Sequence, residues 1–153
     1  MGFRQAVVTC LRNYITFSGR ARRPEYWWFF LFNLLVSAVS TLLDIGLGTG
    51  DADGGIISAL TTLALMPPAF AVTWRRLHDI GRPGWHLVAV VAVILVVSAT
   101  VILFLRGENP PPLPPMILFW TMMATNVGGL ILILVWLAWP SQAEDNRFGP
   151  EPA

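Results

Sequence analysis

Long apolar runs separated by short polar stretches set the pattern of this chain. A helix rises about 1.5 Å per residue, so about 20 apolar residues cross a hydrocarbon layer of about 30 Å. Four runs of the sequence meet this requirement, and charged residues separate each run from the next. The pattern therefore predicts four membrane-spanning helices, near residues 27–47, 55–74, 85–105 and 116–139.

The segment before the first span follows a different pattern. At 100° per residue, Phe3 and Leu11 fall on a broad apolar face, whereas Arg12 and Asn13 fall on a polar one. Residues 1–18 are therefore predicted to form an amphipathic helix that lies in the headgroup layer of the bilayer. The alternative is a solvated helix that packs on the protein's own loops.

These elements together predict an all-α membrane protein. Four transmembrane helices follow an N-terminal amphipathic interfacial helix, and residues 140–153 form a C-terminal tail. The connections between the spans are short and no internal repeat is evident. We therefore expect one four-span domain over residues 1–153.

Composition supports the membrane assignment and excludes several classes of protein. The chain has 153 residues, of which 55% are hydrophobic and 12% are charged. A soluble domain carries about 25% charged residues, so a soluble globular fold is excluded. The single cysteine, Cys10, excludes an intramolecular disulfide and a cysteine-rich metal site. The net charge of +1 gives no reason to expect a nucleic-acid partner, and we expect no cofactor and no metal.

The arginines predict the direction of the spans. Nine of the ten lie before the first span, between the second and third, or after the fourth, and only Arg106 lies on the opposite side. Short loops rich in basic residues stay in the cytoplasm. Both termini and the connection 75–84 are therefore predicted to be cytoplasmic. Tryptophans prefer the membrane interface, and five fall near these cytoplasmic ends as expected anchors: Trp27, Trp28, Trp74, Trp85 and Trp139.

Two prolines lie inside the second span. Pro67 and Pro68 lack the backbone N–H, so the carbonyls of Leu63 and Ala64 lose their usual helical partners and the helix is predicted to kink. One interpretation is a hinge or a ligand notch. The other is a packing bend whose carbonyls are satisfied by a neighbouring hydroxyl or a water molecule.

The fourth span carries small and polar residues near its middle. Gly128 and Gly129 allow close approach of a neighbouring helix, and Asn126 is expected to hydrogen-bond to such a helix rather than to a substrate. The central part of each predicted span has no ionisable residue. Proton-coupled transport usually requires one, so the sequence argues against a proton-driven pump.

Three polar motifs converge on the predicted cytoplasmic side. They cover residues 17–27, 75–85 and 146–152. With these motifs the chain resembles the small bacterial inner-membrane proteins, typified by YhaH and YhaI, that are catalogued as domain of unknown function 805. The matching positions run through Gly19, Arg20, Ala21, Arg23, Glu25, Tyr26 and Trp27, then Arg75, Arg76, Leu77, His78, Asp79, Gly81, Gly84 and Trp85, and finally Asn146, Phe148, Gly149 and Pro152. The resemblance implies a bacterial inner-membrane location. It implies no particular activity, because the family has no established biochemical activity.

The charged residues of these motifs are the candidate site. Three interpretations stay open: a structural network that ties the first three spans together, a surface that binds anionic headgroups or a phosphorylated ligand, and a catalytic centre. Guanidinium groups suit carboxylate and phosphate. The candidate network comprises Arg20, Arg23, Glu25, Arg75, Arg76, His78, Asp79 and Arg82.

The leading functional hypothesis is a non-enzymatic integral membrane protein. Its cytoplasmic Arg/Asp/His surface would bind anionic lipid headgroups or a membrane-protein partner, in an accessory or scaffold role. Besides the bilayer, the candidate partners are anionic lipids, a larger membrane complex and further copies of the chain. The alternative is a small oligomeric channel or transporter.

Overall fold

The computed structural model describes residues 1–51, 54–106 and 114–150. Helices account for most of these residues. Two antiparallel strands of two residues each lie between the second helix and the third. The elements in chain order are α1 (Phe3–Arg12), α2 (Arg23–Leu47), β1 (Gly50–Asp51), β2 (Gly54–Gly55), α3 (Ile56–Asp79), α4 (Trp85–Arg106) and α5 (Pro115–Ala138).

Four of these helices, α2 to α5, are long and apolar enough to cross a membrane. In an apolar 18-residue stretch of each helix, at most 17% of the residues are buried within the protein. Apolar side chains that point away from the protein need an apolar solvent, and lipid supplies one. The prediction of an all-α membrane protein with four spanning helices is confirmed.

Two predicted boundaries require correction. The second spanning helix continues to Asp79 rather than ending near residue 74, so the connection predicted at 75–84 begins only at Ile80. Arginine and histidine are compatible with a helix, and their charged groups find partners inside the protein, as described below. The helix ends where Gly81 adopts a φ of +75°, a conformation that favours glycine. At the N-terminus, α1 ends at Arg12, short of the predicted residue 18.

The chain divides into two compact units. The first comprises residues 1–82 and 140–153, and the second comprises residues 83–139. The single-domain organisation therefore stays a prediction. Pro152, which belongs to the third motif, lies outside the described residues.

In the first unit, α1 packs on the hairpin of α2 and α3. Ala6 and Cys10, one helical turn apart, are completely buried on its inner face. Phe3 extends the contact along α2, with its ring centroid 5.9 Å from that of Trp28. Helix α3 is continuous through Pro67 and Pro68.

Asp44 fixes the end of the α2–α3 hairpin that lies next to the two strands. Its carboxylate accepts hydrogen bonds from the backbone N–H groups of Ile57 and Ser58, at 2.9 and 2.7 Å. These are amides of the first turn of α3, which have no partner within their own helix. Thr49 donates its hydroxyl to the same carboxylate at 2.6 Å. A buried carboxylate of one helix therefore caps the next.

The second unit is the hairpin of α4 and α5. The side chain of Asn126 donates to the hydroxyl of Ser98 at 3.0 Å and to the carbonyl of Met122 in its own helix at 2.8 Å. Gly129 faces Ile94 so closely that an added Cβ would lie 2.5 Å from the Cδ1 atom of that residue. A glycine at this position lets the two helices approach each other.

Candidate functional site

One end of the first unit collects buried charged side chains from three stretches of the chain. Arg20 precedes α2, Glu25 lies in its first turn, and the remaining members lie in the last two turns of α3. The tail from residue 140 onwards packs against the same end through hydrogen bonds to α3 and Arg20. We call the five residues Arg20, Glu25, Arg75, Arg76 and Asp79 the arginine network.

Asp79 is shared by two arginines. Its Oδ1 atom lies 3.0 Å from the Nε atom of Arg20, and its Oδ2 atom accepts a hydrogen bond from Arg76. The side chains of all three residues have no exposed surface. A carboxylate between two guanidinium groups satisfies its lone pairs on both oxygens, which makes the burial of these charges tolerable.

Arg20 also holds the tail. Its Nη1 atom donates to the carbonyl of Glu144 at 2.8 Å, and its Nη2 atom donates to the carbonyl of Gln142. The backbone N–H of Gln142 in turn donates to the carbonyl of Asp79 at 3.1 Å. One guanidinium therefore joins the segment before α2, the end of α3 and the C-terminal tail.

Arg75 forms the second ion pair of the network. Its Nη1 atom lies 2.8 Å from Oε1 of Glu25, which connects α2 to α3. The backbone carbonyl of Arg75 accepts a hydrogen bond from the N–H of Ala21 at 3.1 Å. The other two nitrogens of its guanidinium, Nε and Nη2, are buried and have no hydrogen-bond partner among the described residues.

Cys10 closes this region from the side of α1. Its thiol donates to Oε1 of Glu25 over 3.7 Å, the same oxygen that Arg75 contacts. Burial, reinforced by the negative charge of Glu25, raises the pKa of Cys10 to about 12. The thiol therefore stays protonated at neutral pH and acts as a weak hydrogen-bond donor rather than a nucleophile.

The ring of His78 contacts a backbone carbonyl and an aromatic side chain. Its Nδ1 atom lies 3.1 Å from the carbonyl of Gly19, and its ring stacks on Phe148 with the centroids 4.0 Å apart. The side chain of Asn146 donates to the backbone carbonyl of His78 at 2.9 Å. The tail therefore packs against His78 through Phe148 and Asn146. Within the described part of the chain, no group of three or more metal-ligating side chains is gathered.

The structure corrects one part of the sequence-based interpretation. Six of the eight candidate residues are buried, so they form an interior network rather than an open surface: Arg20, Glu25, Arg75, Arg76, His78 and Asp79. Arg23 is half-buried at the start of α2, and Arg82 is exposed after α3. The outward-facing cations at this end of the first unit are Arg4, Arg12, Arg82 and Arg147.

The tryptophans predicted as anchors occupy helix ends. In the first unit, Trp27 and Trp28 are exposed near the start of α2, and Trp74 is half-buried with its ring edge-on to Phe17 at 5.8 Å. In the second unit, Trp85 begins α4 and Trp139 follows α5, and both are exposed. Their role as interface anchors stays a prediction.

Sequence reasoning misses two contributors to the site. From the sequence Cys10 is only a lone thiol, although its spacing of four residues from Ala6 on the apolar face is a signal of burial. The carbonyls of the tail are missed because backbone groups leave no trace in the sequence.

Comparison with known proteins gives consistent results. The family described as "Protein of unknown function (DUF805)" matches residues 14–150. The chain is similar to the inner membrane protein YhaH of Escherichia coli (strain K12), with 34% identity over 93% of this chain and 91% of that protein. It is also similar to the inner membrane protein YhaI of the same strain, with 42% identity over 59% of this chain and 75% of that protein. No solved structure matches.

Proposed function

Because the chain belongs to the DUF805 family, whose function is unknown, we propose a role from its own geometry: it binds anionic phospholipid headgroups, without catalysis, at the arginine-rich end of the first unit. Its relatives are inner membrane proteins, and with four apolar helices the chain is a multi-pass protein of that membrane. The role that fits is that of an accessory or scaffold protein. We place the arginine-rich end in the cytoplasm, because nine of the ten arginines fall on that side.

The observation that carries this proposal is the outer face of α1. Val8 and Leu11 are each 39% exposed, whereas Ala6 and Cys10 on the adjacent face are fully buried against the protein. Arg4 and Arg12 are exposed beside the apolar positions. One face of α1 thus packs on the protein, and the exposed face is apolar with arginines beside it. Such a helix is suited to the boundary between headgroups and acyl chains.

The charges determine which lipids this end prefers. An arginine close to an anionic leaflet gains about 1 kcal/mol from it. Arg4 and Arg12 on α1, together with Arg82 after α3 and Arg147 in the tail, supply four exposed cations. The arginine network supports this function indirectly, because it fixes α2, α3 and the tail as the platform on which α1 rests.

A spin label on α1 tests the proposal. The label is attached at position 8 in a Val8→Cys, Cys10→Ser variant, and the protein is placed in nanodiscs of phosphatidylglycerol or of phosphatidylcholine. We expect the label to be accessible to oxygen and shielded from a water-soluble nickel chelate, more strongly in phosphatidylglycerol. Adding Arg4→Gln and Arg12→Gln should remove the preference, whereas Arg106→Gln should not. A label that is equally water-exposed in both lipids would overturn the proposal.

The orientation is tested separately. A reporter that is active only in the cytoplasm should be active when fused after residue 150 and inactive when inserted at residues 49–51. The opposite pattern would place the arginine-rich end outside and remove the anionic inner leaflet as its partner.

A further inference from the structure

A groove between α2 and α3 carries polar side chains within the membrane-spanning part of the first unit. Asn33, Ser37 and Thr62 line it, together with Val36 and other apolar side chains. Asn33 lies ten residues after the start of α2 at Arg23, which is about 15 Å along the helix. The polar groups of the groove therefore lie well inside the hydrocarbon layer, where water is not available as a hydrogen-bond partner.

On α2 the polar positions repeat every four residues. Asn33, Ser37 and Thr41 follow one another at intervals of about one helical turn, so they form a row along one side of the helix. Ser40, next to this row, donates its hydroxyl to the carbonyl of Val36 in its own helix. The hydroxyls of Ser37 and Thr41, by contrast, make no hydrogen bond within the described part of the chain.

The amide of Asn33 is only partly used. Its Nδ2 atom donates to the carbonyl of Phe29 at 2.8 Å. A side-chain amide has two N–H donors and one carbonyl acceptor, so one N–H and the Oδ1 atom remain without a hydrogen bond among the residues that the structure describes. Thr62, on the α3 side of the groove, is exposed. Polar groups that face hydrocarbon are costly, so a fitting occupant of the groove brings polar groups to the same depth.

We propose that this groove is the contact between two copies of the chain, related by a two-fold axis along the membrane normal. The arginines direct all copies into the membrane the same way, so such an axis places each residue at the depth of its own counterpart. The free N–H and Oδ1 atom of one Asn33 then meet the Oδ1 atom and N–H of the other, and the two amides form a reciprocal pair of hydrogen bonds. An acyl chain forms no such bond.

The two sides of α2 differ in a way that favours this contact. In lipid, apolar side chains gain little by leaving the acyl chains, so helices associate through close packing and interhelical hydrogen bonds. Ser37 and Thr41 are short side chains four residues apart, a spacing that lets two membrane helices cross closely. The other side of α2 presents Leu35, Val39 and Leu43, which are exposed and apolar and therefore suit lipid. This contact is separate from the arginine-rich end that is proposed to bind headgroups.

Disulfide cross-linking in bacterial membranes tests the contact. In a Cys10→Ser background, Ser37→Cys places a single thiol on the polar row. Val39→Cys is the matched control, two residues away on the other side of α2. Copper phenanthroline, which enters the bilayer, should convert the Ser37→Cys protein to a species of twice the chain mass and leave the Val39→Cys protein monomeric. Equal cross-linking of both, none with Ser37→Cys, or a Ser37→Cys product that contains a different protein would overturn the proposal.

The amide pair is tested by energy transfer between fluorophores fused to the full chain, in phosphatidylcholine vesicles of increasing lipid content. Asn33→Leu should weaken the dimer by roughly tenfold, because two interhelical hydrogen bonds are lost. Asn33→Gln, which keeps the amide, should restore most of the affinity, and Leu35→Ala on the other side of α2 should leave it unchanged. A wild-type protein that stays monomeric at every dilution, or an Asn33→Leu dimer as tight as the wild type, would overturn the proposal. If Asn33→Leu does not fold, the cross-linking result decides.

Discussion

The hydroxyl of Tyr14 donates a hydrogen bond to the backbone carbonyl of Ala64, fifty residues along the chain. This is the carbonyl that Pro68 leaves without a helical partner, because proline has no N–H to donate four residues later. A backbone carbonyl within a membrane span is costly to leave unsatisfied. The segment that follows α1 therefore supplies a donor for one of the two carbonyls that the proline pair leaves without helical partners. Of the two interpretations of the proline pair, this contact supports the packing bend.

We expect Tyr14→Phe to destabilise the folded protein by about 1–3 kcal/mol, because the Ala64 carbonyl loses its donor. Thermal unfolding in detergent measures the change. Tyr26→Phe is the matched control, since it keeps the ring that packs against Trp27 and Phe30 and lies outside the contact with Ala64. In a Pro68→Ala background the helical N–H returns, and Tyr14→Phe should then cost markedly less. An equal cost in both backgrounds would show that the hydroxyl acts elsewhere.

The ion pairs of Asp79 predict non-additive mutations. Asp79→Asn should lower stability by about 3–5 kcal/mol, because it leaves the buried guanidinium groups of Arg20 and Arg76 without their shared carboxylate. Arg20→Gln should lower it by about as much, because it removes one of the two cations on Asp79 and the donors to the tail carbonyls. The double variant should cost less than the sum by about 0.5–3 kcal/mol. Arg106→Gln, at an exposed position of the second unit, provides the control and should have little effect. Additive losses in chemical or thermal unfolding would contradict a shared network.

Cys10 should resist alkylation as long as the protein is folded. Its pKa of about 12 leaves almost no thiolate at pH 8, and the thiolate is the reactive form. We expect maleimide to label the folded protein at least about a thousandfold more slowly than the protein unfolded in sodium dodecyl sulfate, from the difference in pKa alone. A thiol in the exposed tail, in an Ala143→Cys, Cys10→Ser variant, should react at the ordinary rate. Equal rates for the two folded proteins would mean that α1 does not cover Cys10.

The two adjacent glycines of α5 should tolerate substitution differently. Gly129→Val places new atoms against Ile94 and should cost about 1–3 kcal/mol by overpacking. At Gly128 an added Cβ meets no atom within 4 Å, so Gly128→Val carries the same change in helix propensity without the clash. The comparison of their Tm values isolates the contact between α4 and α5. Equal losses would indicate that these helices are not in close contact at this level.

The spans could be predicted from the sequence because the cost of placing polar groups in hydrocarbon depends on composition alone. Each predicted span is found as a helix, with differences of a few residues at the ends. The largest error is at α3, where Arg75 to Asp79 were expected outside the helix. The energetic rule that excludes isolated charges from the interior is correct, but it does not exclude charges that are paired.

Pairing was decided by the tertiary structure. Arg20 and Asp79 are 59 positions apart in the sequence, and Arg20 and Gln142 are 122 positions apart. Many arginines and several acids were available, so composition could not determine which of them meet. The donor for the Ala64 carbonyl was likewise anticipated only as a neighbouring hydroxyl, and the fold identifies it as Tyr14.

The sequence alone thus determined that this is a four-span membrane protein, and it determined which residue types gather at one end. Hydrophobic length and charge distribution are properties of the chain itself, so they can be read without knowing any contact. The tertiary structure alone decided that Arg20, Arg75 and Arg76 lie inside, and that Asp79 is the carboxylate shared by Arg20 and Arg76. Burial and hydrogen-bond geometry depend on which segments pack together, and α1 and the tail cover the cluster only once the helices have assembled.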